Sequence, residues 1–186
     1  MSDARPESVS VPPAAGASTS LPLRESGWRW LPLSLAVIAA DQAAKAWMLH
    51  NLQPLERVHV LKVLDIVLTY NTGAAFSFLA EASGWQRWVF VLLALVVSAV
   101  LIVWLRRIDA RSHGVLACGL ALIIGGALGN MLDRIAIGRV VDFIYVHWGG
   151  AYFPAFNLAD SAITIGAALL LLDAWRESRA ANRVRT

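Results

Sequence analysis

The chain has 186 residues, 58% of them hydrophobic and only 16% charged, with a mean hydropathy of +0.58. A soluble domain is nearer one-quarter charged, so this composition excludes an ordinary soluble fold and places much of the chain in lipid. A net charge of +3 and a pI near 9.5 would suit nucleic acid, but the arginines gather at the ends of apolar runs, so no nucleic-acid partner is expected.

Residues 1–27 are rich in Ser, Pro and Ala without apolar periodicity, which predicts a disordered cytoplasmic tail. A cleaved secretory signal fits poorly, because the polar lead is long and the apolar run after it contains Asp41 and Lys45. Residues 28–176 are expected to form a single membrane α-helical domain. Its four spans, about 30–49, 88–105, 115–132 and 157–175, each approach the ~20 residues a bilayer requires. Arginines cluster before span one, between spans two and three, and after span four, so both termini, including a tail at 177–186, are expected in the cytoplasm. Trp28, Trp30, Trp104 and Trp175 then mark the inner interface, and Trp47, Trp85, Trp88 and Trp148 the outer one.

Within span one, Asp41 and Lys45 are spaced i,i+4, as an ion pair would be. Charges inside a span are costly and mark either a structural pin or a functional site. The connector from 55 to 80 is expected to form a small extracytoplasmic β-sheet. Val58, Val60, Val63, Ile66 and Val67 favour strand, and Asn71–Gly73 favours a turn that presents polar groups to a peptide. Span two carries no ionisable residue and reads as scaffold. Span three holds Gly125 and Gly129 in GxxxG register, with Asn130, Asp133 and Arg134 following, and Arg134 is placed to balance Asp133. Asn157, Asp160, Ser161 and Thr164 are expected as a polar stripe on span four.

Helix rise puts Lys45, Asn130 and Asp160 each roughly 22 Å from the inner interface, with Asp142 entering from the connector above. Independent structural pairs need not share a depth, so the coincidence favours a site. The single cysteine, Cys118, excludes a disulfide or CxxC chemistry, and the histidines show no ligand spacing. Two carboxylates without those groups suggest acid–base hydrolysis, in which one aspartate takes a proton from water and the other donates to the scissile amide. Amides of Asn130 and Asn157 are expected to hold the substrate or the developing oxyanion.

The motifs DQAAK (41–45), NTGAAFS (71–77), GGALGNMLDR (125–134), VVDFIYVHW (140–148) and FNLADS (156–161) together resemble bacterial lipoprotein signal peptidase, also called signal peptidase II. The resemblance covers about Trp30 to Trp175. It implies an aspartyl endopeptidase of the bacterial inner membrane, using no metal or other cofactor, with its site toward the periplasm. Its partners would be membrane lipid and prolipoproteins, cut just before a cysteine that already carries a diacylglyceryl group; the protein itself is expected as a monomer. Asp142 and Asp160 would be catalytic. Asp41, Lys45, Asn71, Gly73, Asn130, Asp133, Arg134 and Asn157 would bind substrate or support the site. Ala44 departs from a hydroxyl residue common in that box, at the expense of a local hydrogen bond. From another class, a small ion- or proton-coupled transporter would also place Asp, Asn and Arg inside a membrane. It would be expected to show an internal repeat and a central polar layer, and neither is evident. A scaffold protein or a GxGD-type protease accounts for less of the pattern, as no GxGD flanks either aspartate.

Overall fold

A computed structural model describes Pro22 and residues 25–73 and 84–184. Most of the predicted N-terminal tail, residues 74–80 of the predicted β segment, and residues 185 and 186 lie outside the described residues. A short 3-10 turn, Gly27–Trp30, leads into α1 (Leu31–Asn51). The hairpin β1 (Arg57–Leu61) and β2 (Leu64–Asn71) follows, then α2 (Gln86–Arg107) and α3 (Gly114–Ile137). The strands β3 (Val140–Trp148) and β4 (Ala151–Tyr152) precede α4 (Leu158–Val184). Among the described residues, α2, α3 and α4 are long and apolar enough to cross a membrane. The fourth helix, α1, is 21 residues long but spends Asp41, Gln42, Lys45, His50 and Asn51 on polar positions, which lowers its hydropathy.

At the centre of the bundle, α3 packs on the other three helices, and its small residues explain why. A Cβ on Gly129 would come within 2.9 Å of Oδ2 of Asp41, so only glycine admits that carboxylate between α1 and α3. Ala117, Leu120 and Ile124 of α3 fill a core with Leu105 of α2 and Ile108 just beyond it. The apolar side chains of α2 that find no such partner, Leu92, Leu93, Val96 and Val100 among them, are exposed, as a lipid-facing surface requires.

The four strands form one antiparallel sheet in the order β1-β2-β3-β4. The strands expected between 55 and 80 are present as a hairpin, with Val63 in its turn rather than in a strand. The segment Val140–Trp148, expected only as a connector, is the nine-residue β3, which pairs with β2 from Val140 to Val146 across a register shift and with β4 at His147 and Trp148. Its run of β-branched and aromatic residues, VVDFIYVHW, is the signal that marks it as strand. Gly138, at φ +79°, closes α3 in the left-handed conformation and turns the chain directly into β3. That turn brings Asp142 over the end of the helical bundle, opposite Thr69 of β2. At the far end of the chain, α4 continues to Val184, past the predicted span end at Trp175, so the C-terminal segment expected as a tail is helical over most of its length.

Candidate functional site: two aspartates over a polar floor

Asn157 is not on the helical stripe that its spacing suggests; it is the residue just before α4 and caps it. Oδ1 of Asn157 accepts from the backbone N–H of Asp160 at 2.9 Å, and Oδ2 of Asp160 accepts from the backbone N–H of Asn157 at 3.3 Å. This is the reciprocal capping arrangement, which satisfies two orphan donors of the helix terminus and fixes the Asp160 carboxylate. The spare amide N–H groups of Asn157 face β3, where Nδ2 donates to Oδ1 of Asp142 at 2.7 Å. One asparagine therefore ties α4 and both aspartates together.

Asn130 of α3 completes the set. Its Nδ2 donates to Oδ1 of Asp160 at 2.7 Å, and its Oδ1 accepts from Nδ2 of Asn157 and from Nζ of Lys45, each at 3.0 Å. Both amides are thus engaged with the aspartates. Asn157 is fully buried and spends its amide within this network, whereas Asn130 directs one of its two amide N–H groups to Asp160 and itself lines the cavity. Asn71, at the end of β2, is a further hydrogen-bond partner of Asp142. Its Oδ1 also accepts from the backbone N–H of Gly73 at 2.9 Å, closing the predicted turn.

Beneath this pair lies the ion cluster. Nζ of Lys45 is 2.7 Å from Oδ2 of Asp41, its predicted i,i+4 partner, and 2.8 Å from Oδ2 of Asp133. Asp133 is therefore balanced by Lys45. Arg134 makes no direct ion pair with Asp133 and feels its charge behind those of Asp160 and Asp142; its guanidinium donates to the carbonyl of Gly73 at 3.0 Å and to that of Asn130 at 3.4 Å, and stacks 4.9 Å over Phe90. Successive residues on a helix point about 100° apart, so Asp133 and Arg134 do not face each other. Gln42 escaped sequence reading because a lone amide beside a charged pair carries no pattern; its Nε2 donates to Oδ1 of Asp133 at 2.8 Å. Ser161 and Thr164 bond back to the carbonyls of Asn157 and Asp160 in their own helix, at 2.9 and 2.8 Å.

Asp142 and Asp160 open onto one cavity of about 910 Å³, whose walls include Tyr145, Phe153, Phe156, Ile163 and Ile165. Asp142 is 3% exposed and sits on β3, outside the helices. Burial, and then the charge of Asp160, pushes its carboxyl up to about 7, although hydrogen bonds from Asn157 and Asn71 and the charge of Lys45 oppose the rise. Such a group holds a proton near neutrality while a partner carboxylate can remain ionised.

Apolar helices, a sheet across one end of the bundle, and two carboxylates sharing an apolar cavity define a class, that of enzymes built into membranes. Known proteins narrow it. The family described as Signal peptidase (SPase) II matches residues 33–176. A lipoprotein signal peptidase of Pseudomonas fluorescens strain Pf0-1 is 54% identical over 157 residues, covering 83% of this chain and 92% of that protein. Another, from P. fluorescens strain Pf-5, is 50% identical over 176 residues, covering 94% and 99%. The fold is similar to that of a bacterial membrane enzyme solved by the in meso method at 2.3 Å resolution, with a TM-score of 0.72 and 28% identity over 81% of this chain and 89% of that one. The chain belongs to the signal peptidase II family.

Proposed function

We propose that this peptidase cleaves the signal peptide from diacylglyceryl-modified prolipoproteins, just before the lipidated cysteine, through an Asp142–Asp160 dyad. The observation that carries the dyad is geometric. Asn157 donates to Asp142 and caps Asp160, so both carboxylates are held over one apolar-walled cavity. One aspartate accepts a proton from water as its oxygen attacks the scissile carbonyl; the other, protonated, donates to the departing amide nitrogen. The elevated Asp142 carboxyl suits it to hold that proton.

The remaining assignments belong to the same proposal. Four helices cross the inner membrane with both termini in the cytoplasm, and α1 carries its charges inward because Lys45, Asp41 and Asp133 neutralise one another. The sheet lies on the periplasmic side, the protein acts as a monomer, and Asn71 and Gly73 border the path of the peptide. Ile163, Ile165 and Phe153 offer apolar wall to the acyl chains of a substrate arriving through the bilayer.

The test is cleavage of a lipidated prolipoprotein by purified protein in detergent, run beside Asp142→Asn and Asp160→Asn. Removing either member of a group that works as a unit is expected to cost about 10³-fold or more in kcat, with the fold retained. Full activity in either folded variant would remove the dyad.

A further inference from the structure

The two proposed catalytic aspartates are each gripped one residue upstream. The backbone N–H of Val141, which precedes Asp142, donates to Oδ2 of Asp133 at 3.0 Å. The backbone N–H of Ala159, which precedes Asp160, donates to Oδ1 of Asp41 at 3.0 Å. Neither Asp41 nor Asp133 lines the cavity, and both are buried, so they act as anchors for backbone rather than as reacting groups.

Two side chains of α1 join these anchors. Lys45 reaches both, and its presence needs no further reason than these two buried carboxylates, which have no other cation within 4 Å among the described residues. Gln42 supplies no charge. Its Nε2 lies 2.8 Å from Oδ1 of Asp133, 3.3 Å from Oδ2 of Asp41 and 3.2 Å from the carbonyl of Gly129. All three are acceptors, which fixes the amide with its nitrogen inward, and its two N–H groups must be shared among them. Such an amide rigidifies what it bridges, here the junction between the anchor of β3 and the anchor of α4.

We propose that Gln42 is a positioning residue. With Lys45 it yokes Asp133 to Asp41, so that β3 and the first turn of α4 arrive at one fixed separation, and it thereby sets the spacing of Asp142 and Asp160. Gln42 touches neither catalytic carboxylate and acts only through the two backbone N–H groups. The inference rests on the dyad described above and extends it to the element that holds the dyad in register. Misplacing reacting groups by about 1 Å can cost 10²-fold in rate, so a loosened yoke has a measurable effect.

The experiment compares the full-length protein with Gln42→Met, which keeps the length of the side chain but has no N–H to donate. kcat and KM are measured on a diacylglyceryl-modified peptide from pH 5 to 9, with the folded fraction determined in parallel so that rates refer to folded molecules. Gln42→Ala, which leaves room for water, tests the same point if the methionine is poorly accommodated. The expected result is a roughly tenfold to hundredfold fall in kcat with KM within about twofold, because the cavity walls are untouched. The two limbs of the kcat profile should also move closer together, since the spacing of two carboxylates governs how far their ionisations are split. A purely structural role would lower the folded fraction while leaving rate per folded molecule and profile width alone, and that result overturns the inference. So does a rise in KM at unchanged kcat, which would place Gln42 in substrate binding. Activity in Asp142→Asn or Asp160→Asn would instead remove the dyad itself, a failure distinguishable from that of the yoke.

Discussion

Two clusters in this molecule use the same chemistry with the proportions reversed. In the bundle, one cation serves two carboxylates, Lys45 between Asp41 and Asp133, and all three side chains are at most 5% exposed. In the sheet, one carboxylate serves three basic groups. Asp65 of β2 lies 2.7 Å from Nδ1 of His59 and 3.7 Å from Arg57, both on β1, and 3.2 Å from Nε2 of His147 on β3. The first cluster fixes backbone beside the dyad; the second laces three strands near their outer end. Asp65 is itself buried, but its partners His59 and Arg57 are 77% and 40% exposed, whereas every member of the bundle cluster is closed to water. Coulombic and hydrogen-bonding ties of similar length should therefore differ greatly in consequence.

The largest expected effect comes from Lys45→Met. It leaves two buried carboxylates without a cation, a loss of about 3–5 kcal/mol for a broken buried pair. The checks are the yield of folded protein and the melting midpoint in detergent. A variant that melts like the parent would mean that water or Arg134 reaches Asp133, and the contrast between the clusters would collapse.

Next in size is the response of activity to pH. Asp142 lies near the start of β3, and Asp65 pairs three residues further along it, with Tyr145. Burial and the charge of Asp160 raise the Asp142 carboxyl to about 7, so its proton is lost as pH rises through that value. The cleavage rate should be maximal below this point and decline toward tenfold per pH unit well above it. Stability carries the same sign: a raised carboxyl favours the folded state most at low pH, and this advantage fades as pH climbs from about 4 to 7. A flat profile from pH 6 to 9 would place the required proton on another group.

Much of this is legible in the sequence. Asp41 and Lys45 announce a pair by their i,i+4 spacing, Gly129 announces a close helix approach, and Asp142 and Asp160 stand out as carboxylates in an apolar chain. What spacing could not convey is direction. Asn157 lies in helical register with Asp160 but acts as a cap, because a helix start depends on where the backbone leaves extended geometry. Arg134 follows Asp133 in sequence yet faces Gly73, a difference of about 100° around a helix that no adjacency rule captures. The strand character of β3 is present in its β-branched and aromatic residues, but a short stretch between two strong apolar runs equally fits a connector. The bonds of Gln42 were not legible at all, since three acceptors from two helices converge on it only after folding.

The smallest effect is predicted for Asp65→Asn, at the sheet. Burial pushes this carboxyl up, but hydrogen bonds from His59 and His147 outweigh it and hold it below the ordinary carboxylate range. Its contribution is therefore present above the unfolded value of about 4 and lost only as pH falls through the lowered folded value. At pH 7 the variant should melt slightly below the parent, with faster amide exchange along β1, the strand whose ties to Asp65 are most exposed. Cleavage should change by less than about threefold, since Asp142 sits opposite Thr69 while Asp65 pairs with Tyr145 further out. Parent and variant should converge in stability in strong acid, where Asp65 is neutral in both. If the variant instead melted as low as Lys45→Met, or lost cleavage to the same degree, the sheet cluster would be as integral to the site as the bundle cluster, and the exposure of its basic partners would not be what separates them.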